Sequence, residues 1–238
     1  MYTKIAIAIL VCFGVATFAA SLNKIQESRA SRSASQQQEE PPNTLKARVK
    51  KVRAKGANKV TFDSPLPIYA ETSSLDEASS AYVVVVARPV WAKTLMLSPD
   101  KLTTFQKFEI IDRLNSPPNV GCCGPQTSDF PSELPPPGPN AIYVRMNGGK
   151  MLIDGVEVTQ KTEFQLRGPE QYLLFLLPDA TGVISTIPLG PYGIFTVKEG
   201  SIESILNYPH TLDSEIRTKH GKSLNRLKTE LKRSRGND

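Results

Sequence analysis

The sequence predicts an all-β domain over residues 60–206, a small antiparallel barrel or sandwich with a short leading helix and a C-terminal helical tail. Three observations predict it. Ala81 to Trp91 reads AYVVVVARPVW, a β-branched run suited to burial on both faces. Short apolar segments follow at close intervals, separated by Asn147-Gly148, Asp154-Gly155, Pro178-Asp179 and Glu199-Gly200, which carry turn chemistry. Nineteen prolines and few aromatic residues argue against a mainly helical enzyme.

Leu75 to Ser80 make a short helical turn, with Asp76 and Glu77 suited to its amino end. Ala81 to Trp91 is the first strand, and Pro89 near its end marks a bulge or an edge. Phe105 to Leu114 is its antiparallel partner, which makes Ala92 to Thr104 a long hairpin loop. Residues 115–140 are a long irregular insertion, dense in proline, that carries Cys122 and Cys123. Loops of that length commonly serve a function. Ile142 to Met146, Lys150 to Val158 and Glu163 to Leu166 read as short strands. Gln171 to Leu177, QYLLFLL, suits a central strand and pairs with Gly182 to Pro188 across Pro178-Asp179. Ile194 to Val197 and Ser201 to Leu206 form a last hairpin. In the basic tail, residues 207–238, Thr211 or Asp213 caps a first helix that Gly221 ends, and Ser223 caps a second. Leu224, Leu227 and Leu231 give that second piece an apolar face for packing against the barrel.

The order of these pieces carries a resemblance. A helical turn leads into Tyr82 to Val90, a second strand spans Phe105 to Leu114, and Gly168 precedes the phrase Tyr172 to Leu176. This resembles the OB-like barrels of netrin-module and tissue-inhibitor type, and small exported bacterial domains of unassigned function. The resemblance covers roughly residues 74–206 and implies a closed or partly open OB-like barrel. The netrin-type disulfide cysteines are absent here, as is the inhibitors' metal-engaging N-terminal cysteine, so no inhibitory residue carries over.

Ahead of this domain, Lys4 precedes sixteen uncharged residues, Ile5 to Ala20. As a helix they would span about 24 Å against a hydrocarbon core of about 30 Å, short for a permanent span and right for a signal-peptide core. Thr17 and Ala19 offer a small-x-small site, with cleavage after Ala19. Lys24, Arg29 and Arg32 pull the other way under the positive-inside rule. The segment, residues 1–20, is therefore expected to be a signal peptide or a membrane anchor. The domain is expected in the periplasm, outside the cell, or tethered to the membrane through residues 5–20. Residues 21–59 are expected to be a linker. Its first part, to Thr44, is rich in Ser, Gln and Glu and cannot bury enough surface to offset ordering entropy. Its second part, Leu45 to Lys59, has seven Lys/Arg and no acid. A solvated lead-in is the favoured reading of that run, with contact to an anionic envelope polymer or lipid headgroups as the alternative.

The net charge of +6 hides a division. Residues 1–59 hold 11 Lys/Arg against 3 Asp/Glu, residues 60–205 hold 10 against 16, and residues 206–238 hold 8 against 4. An acidic body between basic ends argues against a nucleic-acid partner.

Chemistry-bearing motifs are few. Cys12 lies in the apolar segment, and Cys122 and Cys123 are adjacent. Neighbouring Cα atoms sit about 3.8 Å apart while a disulfide prefers roughly 4.4–6.8 Å, so two thiols in a loop is the favoured reading. An intermolecular disulfide or a redox pair is the alternative. There is no HExxH, no CxxC pair and no Gly-rich phosphate loop, so no catalytic residue, metal or cofactor is expected. The expected function is that of a non-catalytic exported or membrane-tethered accessory module, with an envelope protein or anionic polymer as partner. It would bind through the loop end of the barrel, with residues 115–140 contributing. The alternative is a thiol-redox or hydrolytic enzyme using Cys122 or Cys123, with His210 as a candidate base.

Overall fold

A computed structural model describes residues 44–63, 69, 74–116, 130–162, 164 and 166–233. The protein is mostly β-strand, and among the described residues two short α-helices precede the main sheet and two follow it. The main sheet is organised by a long hairpin, β2 (Val83–Ser98) and β3 (Lys101–Asn115). The remaining strands are β1 (Lys59–Phe62), β4 (Ala141–Asn147), β5 (Gly149–Ile153), β6 (Val156–Gln160), β7 (Gln171–Pro178), β8 (Ile184–Thr186), β9 (Ile194–Lys198) and β10 (Ser201–Ser204). β7, β2, β3, β4 and β8 form a hydrogen-bonded ring. It closes where β8 pairs in parallel with β4 and antiparallel with β7, the latter through Leu177–Thr186 and Pro178–Ser185 alone. β9 and β10 extend the sheet from the amino-terminal half of β7.

β2 is buried on both faces, as its β-branched run predicts. Val83, Val85 and Ala87 face the ring interior with Phe108, Val144, Leu174 and Leu176. Val84 and Val86 face an outer core with Phe175, Phe195 and the helices. Pro89 sits at a register shift that leaves Val90 unpaired and exposed, so it does mark a bulge.

The expected loop from Ala92 to Thr104 does not exist. Both strands run on to a tight turn at Pro99-Asp100. The extension is held from outside the hairpin. Met96 and Leu102 at its tip join a second small core with Leu45, Val49, Ile153, Val156 and Val158. That core lies between α1 (Leu45–Ala54) and a three-stranded sheet in the order β1-β6-β5. The basic run expected to be linker is thus helical from Leu45 and contributes a parallel strand, β1 on β6. Leu45, Val49 and Val52 recur at helical spacing and turn inward, and the Thr44 hydroxyl caps the helix by accepting from the Ala47 N–H. Glu163 to Leu166 is also corrected: Phe164 and Leu166 lie outside any strand and pack into the ring interior.

The chain passes from β4 into the small sheet through Gly148 and Gly149, both at positive φ. A Cβ on Gly149 would fall within 2.2 Å of Thr104 Oγ1 and 2.5 Å of Thr94 Oγ1. Gly149→Ala is therefore expected to cost about 1–3 kcal/mol in chemical denaturation, the range for forced overpacking. The β5–β6 and β9–β10 turns carry positive φ at both central residues, Asp154-Gly155 and Glu199-Gly200, which is the I′ geometry their sequences predict.

The leading helix, α2 (Leu75–Ala81), is capped by Ser74, whose hydroxyl accepts from the Glu77 N–H. The tail forms α3 (Thr211–His220) and α4 (Leu224–Arg233), separated by Gly221 in the left-handed conformation. Neither Thr211 nor Asp213 caps α3. That position belongs to His210, which is buried against Tyr192 and Phe195 and accepts from the Asp213 N–H. Leu212, Ile216, Leu224, Leu227 and Leu231 all enter the outer core.

Glu215 of α3 accepts a hydrogen bond from the Leu75 N–H, a first-turn donor that α2 cannot satisfy itself, and pairs with Lys219. Burial alone would raise the Glu215 pKa, but the Lys219 ammonium and the Leu75 N–H together hold it below its ordinary value. Its contribution is then complete above the ordinary carboxylate range and lost as pH falls through the lowered folded value. Glu215→Gln is expected to cost about 1.5–3 kcal/mol near neutral pH. The gap to wild type should shrink toward zero in acid, as read by denaturant titration across pH.

Candidate functional site at the mouth of the strand ring

The site is built from the end of the ring where β7 stops, β2 starts and β3 ends. β7 runs out of apolar residues at Pro178, and Asp179 turns the chain back into β8. One carboxylate oxygen, Oδ1, accepts from the Thr181 hydroxyl (2.6 Å), the Thr181 N–H (3.1 Å) and the Ile184 N–H (3.4 Å). The Asp179 backbone adds two bonds, from its N–H to the Ile184 carbonyl and to its carbonyl from the Gly182 N–H. Asp179 thereby fixes the loop that closes the ring.

Its second oxygen is different. Asp179 is only 5% exposed, and Oδ2 is buried with no hydrogen-bond partner among the described residues. A buried acceptor left unmatched costs about 1–3 kcal/mol, and more when charged, so native proteins carry few of them. Asp179 borders a cavity of about 320 Å³ that opens between the β7–β8 loop and the ends of β2 and β3. The cavity's apolar wall comes from Val83, Val85, Ile110, Ile142 and Leu176. Its polar positions are Asp179, Ser185, Ser116, Thr181 and the exposed Arg113. The arrangement offers a buried acceptor at one side, a guanidinium at the rim and an apolar lining between them.

A second cavity, of about 510 Å³, lies between the β2–β3 hairpin and the small sheet. Its more buried polar side chains are paired internally. Thr94 and Thr104 share a hydrogen bond, Thr104 donates to the Gly148 carbonyl, Gln106 donates to the Leu166 carbonyl, and Gln160 accepts from the Leu102 N–H. No buried polar atom of that lining is unmatched among the described residues, which sets it apart from the Asp179 cavity.

Cys122 and Cys123 lie outside the described residues, as does the expected cleavage position at Ala19. The two ends of the insertion that carries the cysteines are described. It leaves β3 at Ser116, on the cavity lining. It returns at Phe130, which packs with Leu134 against Trp91, Phe105 and Tyr143 on the outside of the ring. The Tyr143 hydroxyl donates to the Pro135 carbonyl and Lys93 donates to the Glu133 carbonyl, so residues 130–135 are strapped across β2 and β4. Burial raises the Tyr143 pKa, keeping the hydroxyl a donor.

His210 does not border this cavity. Its Nδ1 accepts from the Asp213 N–H, so Nε2 carries the proton and faces Ser204 Oγ at 3.1 Å. In that tautomer His210 cannot take a proton from Ser204, and both ring nitrogens are engaged. His220 is also buried, with Nε2 3.4 Å from Glu230 across the α3–α4 turn. Among the described residues no group of three or more His, Cys, Asp or Glu could hold a metal ion.

Asp179 is the residue that sequence reasoning passes over, because an Asp after Pro at a turn is ordinary and only the fold reveals that one oxygen is shut away unmatched. Among the described residues no helix is long and apolar enough to cross a membrane. No family model matches this chain, and no curated protein is significantly similar to it.

Proposed function

We propose that this protein is a non-catalytic binding module of the cell envelope, exported or tethered by its N-terminal segment, and built on an OB-like barrel. The barrel reading is supported by strand order. Counting β2, β3, β4, β7 and β8 as first to fifth, the ring runs 1-2-3-5-4-1, with the third and fifth strands parallel and the other pairs antiparallel. That is the Greek-key arrangement of OB barrels. Fold alone names no ligand.

The observation that carries the binding reading is the Oδ2 of Asp179, unmatched among the described residues, beside an open cavity of mixed polar and apolar lining at the loop end of the ring. A matching ligand has an N–H or O–H donor, best a cationic amine, on a small apolar body. The cavity volume falls at the low end of small-molecule sites. Position supports the insertion as a contributor, since residues 115–140 depart from Ser116 at the cavity.

The test is a fragment screen followed on backbone amide resonances. Small apolar amines should perturb Thr181, Gly182 and Ser185, and matched carboxylates should not. Asp179→Asn keeps the Oδ1 acceptor and converts the free oxygen to a donor, so it should abolish the response. If amines leave these amides unmoved, or Asp179→Asn responds as wild type does, the site assignment fails. The export half is read by sequencing the mature amino terminus. A start at Ala20, or an intact chain in the membrane fraction, supports it, and an intact chain in the soluble cytoplasm overturns it.

A further inference from the structure

We propose that α1 lies against anionic lipid headgroups and sets how the domain rests on the membrane, an inference that builds on the tethered reading above. The helix has one packing face, and its other positions are basic apart from Ala47 and Ala54. At about 100° per residue, Leu45, Val49 and Val52 share one meridian. They supply its contact with the small core. Lys46, Lys50 and Arg53 fall on one flank, Arg48, Lys51 and Lys55 on the other, and Ala47 and Ala54 form the crest between them. Short side chains at the crest let the helix approach a flat surface while long basic side chains reach down on both sides.

Most of these charges make no ion pair among the described residues. The ion pairs nearby join Lys59 and Lys150 to Glu157 and Lys161 to Asp63. Arg48 stacks over Phe62. Lys46, Lys50, Lys51, Arg53 and Lys55 are exposed and have no acidic partner among the described residues. Lys46–Lys50 and Lys51–Lys55 are like-charge pairs at i,i+4, a spacing that destabilises a helix by itself. Lys51 and Arg53 in the last turn complement the helix dipole, but covering the small core does not call for Lys46 or Lys50. An anionic surface relieves that repulsion and adds attraction for each cation.

Position favours a bilayer over other anions. The helix begins at Leu45, and the uncharged segment ends at Ala20. The 24 intervening residues span at most roughly 86 Å even at full extension, so a chain held at Ile5–Ala20 keeps this cationic face in the neighbourhood of the bilayer.

The experiment uses the full chain mixed with vesicles of phosphatidylcholine, alone or with phosphatidylglycerol. Co-sedimentation is measured, and amine acetylation is followed at each lysine. Lys46, Lys50, Lys51 and Lys55 should be acetylated at least about fivefold more slowly on the mixed vesicles. The protection should fade with added salt, while the exposed Lys198 keeps its rate. The double variant Lys50→Glu/Lys51→Glu, checked for an unchanged melting curve, should lose the protection. Sedimentation with both vesicle types but no lipid-dependent protection overturns the headgroup contact and leaves the tether standing. Sedimentation with mixed vesicles only, with protection, supports the contact and counts against insertion of the N-terminal segment. Sedimentation with neither overturns both. Equal protection by a DNA duplex in solution overturns the lipid assignment in favour of a general polyanion site.

Discussion

A chain ending after Tyr208 is expected to lose cooperative unfolding altogether. The tail looks dispensable as a basic appendage, but it is one wall of the outer core. Leu212, Ile216, Leu224, Leu227 and Leu231 are buried in one core with Val84, Val86, Phe175 and Phe195. Each such side chain contributes about 1.5–3 kcal/mol when removed from water. Their sum rivals or exceeds the entire stability of about 5–15 kcal/mol that a domain possesses. The truncation also uncovers those aromatic rings and strips Leu75 N–H of its Glu215 acceptor. Thermal unfolding followed by near-ultraviolet circular dichroism reads the result. A sharp transition within a few degrees of wild type would show that the tail is an ornament.

The second large effect belongs to Asp179, where two substitutions should separate. Asp179→Ala removes three hydrogen bonds to Oδ1 at the loop that closes the ring. The closure itself rests on only two β7–β8 residue pairs. A loss of about 3–5 kcal/mol is expected, from several charge-assisted bonds that are not fully additive. Asp179→Asn keeps the acceptor and removes the uncompensated charge, so it should hold wild-type stability to within about 1 kcal/mol or exceed it. Wild type would then be carrying a stability cost at this oxygen, as expected of a site kept for a ligand. Equal destabilisation by Asn and Ala would instead mean that Oδ2 is satisfied in solution.

Much of this fold was legible wherever short-range rules decide it. The Val83–Ala87 wall announces itself by β-branching. Asp76 with Glu77 announces a helix start, Gly221 a helix stop, and Asp154-Gly155 and Glu199-Gly200 their hairpins. What escaped depends on distant partners. Strands β2 and β3 continue past Trp91 because Met96 and Leu102 rest on residues far away in sequence, and nothing in LMLS foretells that support. The α1 segment reads as solvated because its cations dominate, although Leu45, Val49 and Val52 held the helical period. β1 pairs in parallel with β6, a non-local contact that no turn signal marks. The candidate site was legible only in outline, as the loop end near the insertion. Asp179 stayed hidden because an unmatched oxygen is a property of packing.

The strand β2 has a consequence for communication across the molecule. Val83 and Val85 line the cavity, while Val84 and Val86, on the same few peptide units, touch the core that the tail completes. A single backbone segment thus belongs to two surroundings at once. Its amides should be the slowest in the protein to exchange with deuterium, opening only when the whole domain opens. Occupancy at the cavity and docking of the tail should then reinforce each other, so that a ligand at one side of the strand slows proteolytic release of helices at the other.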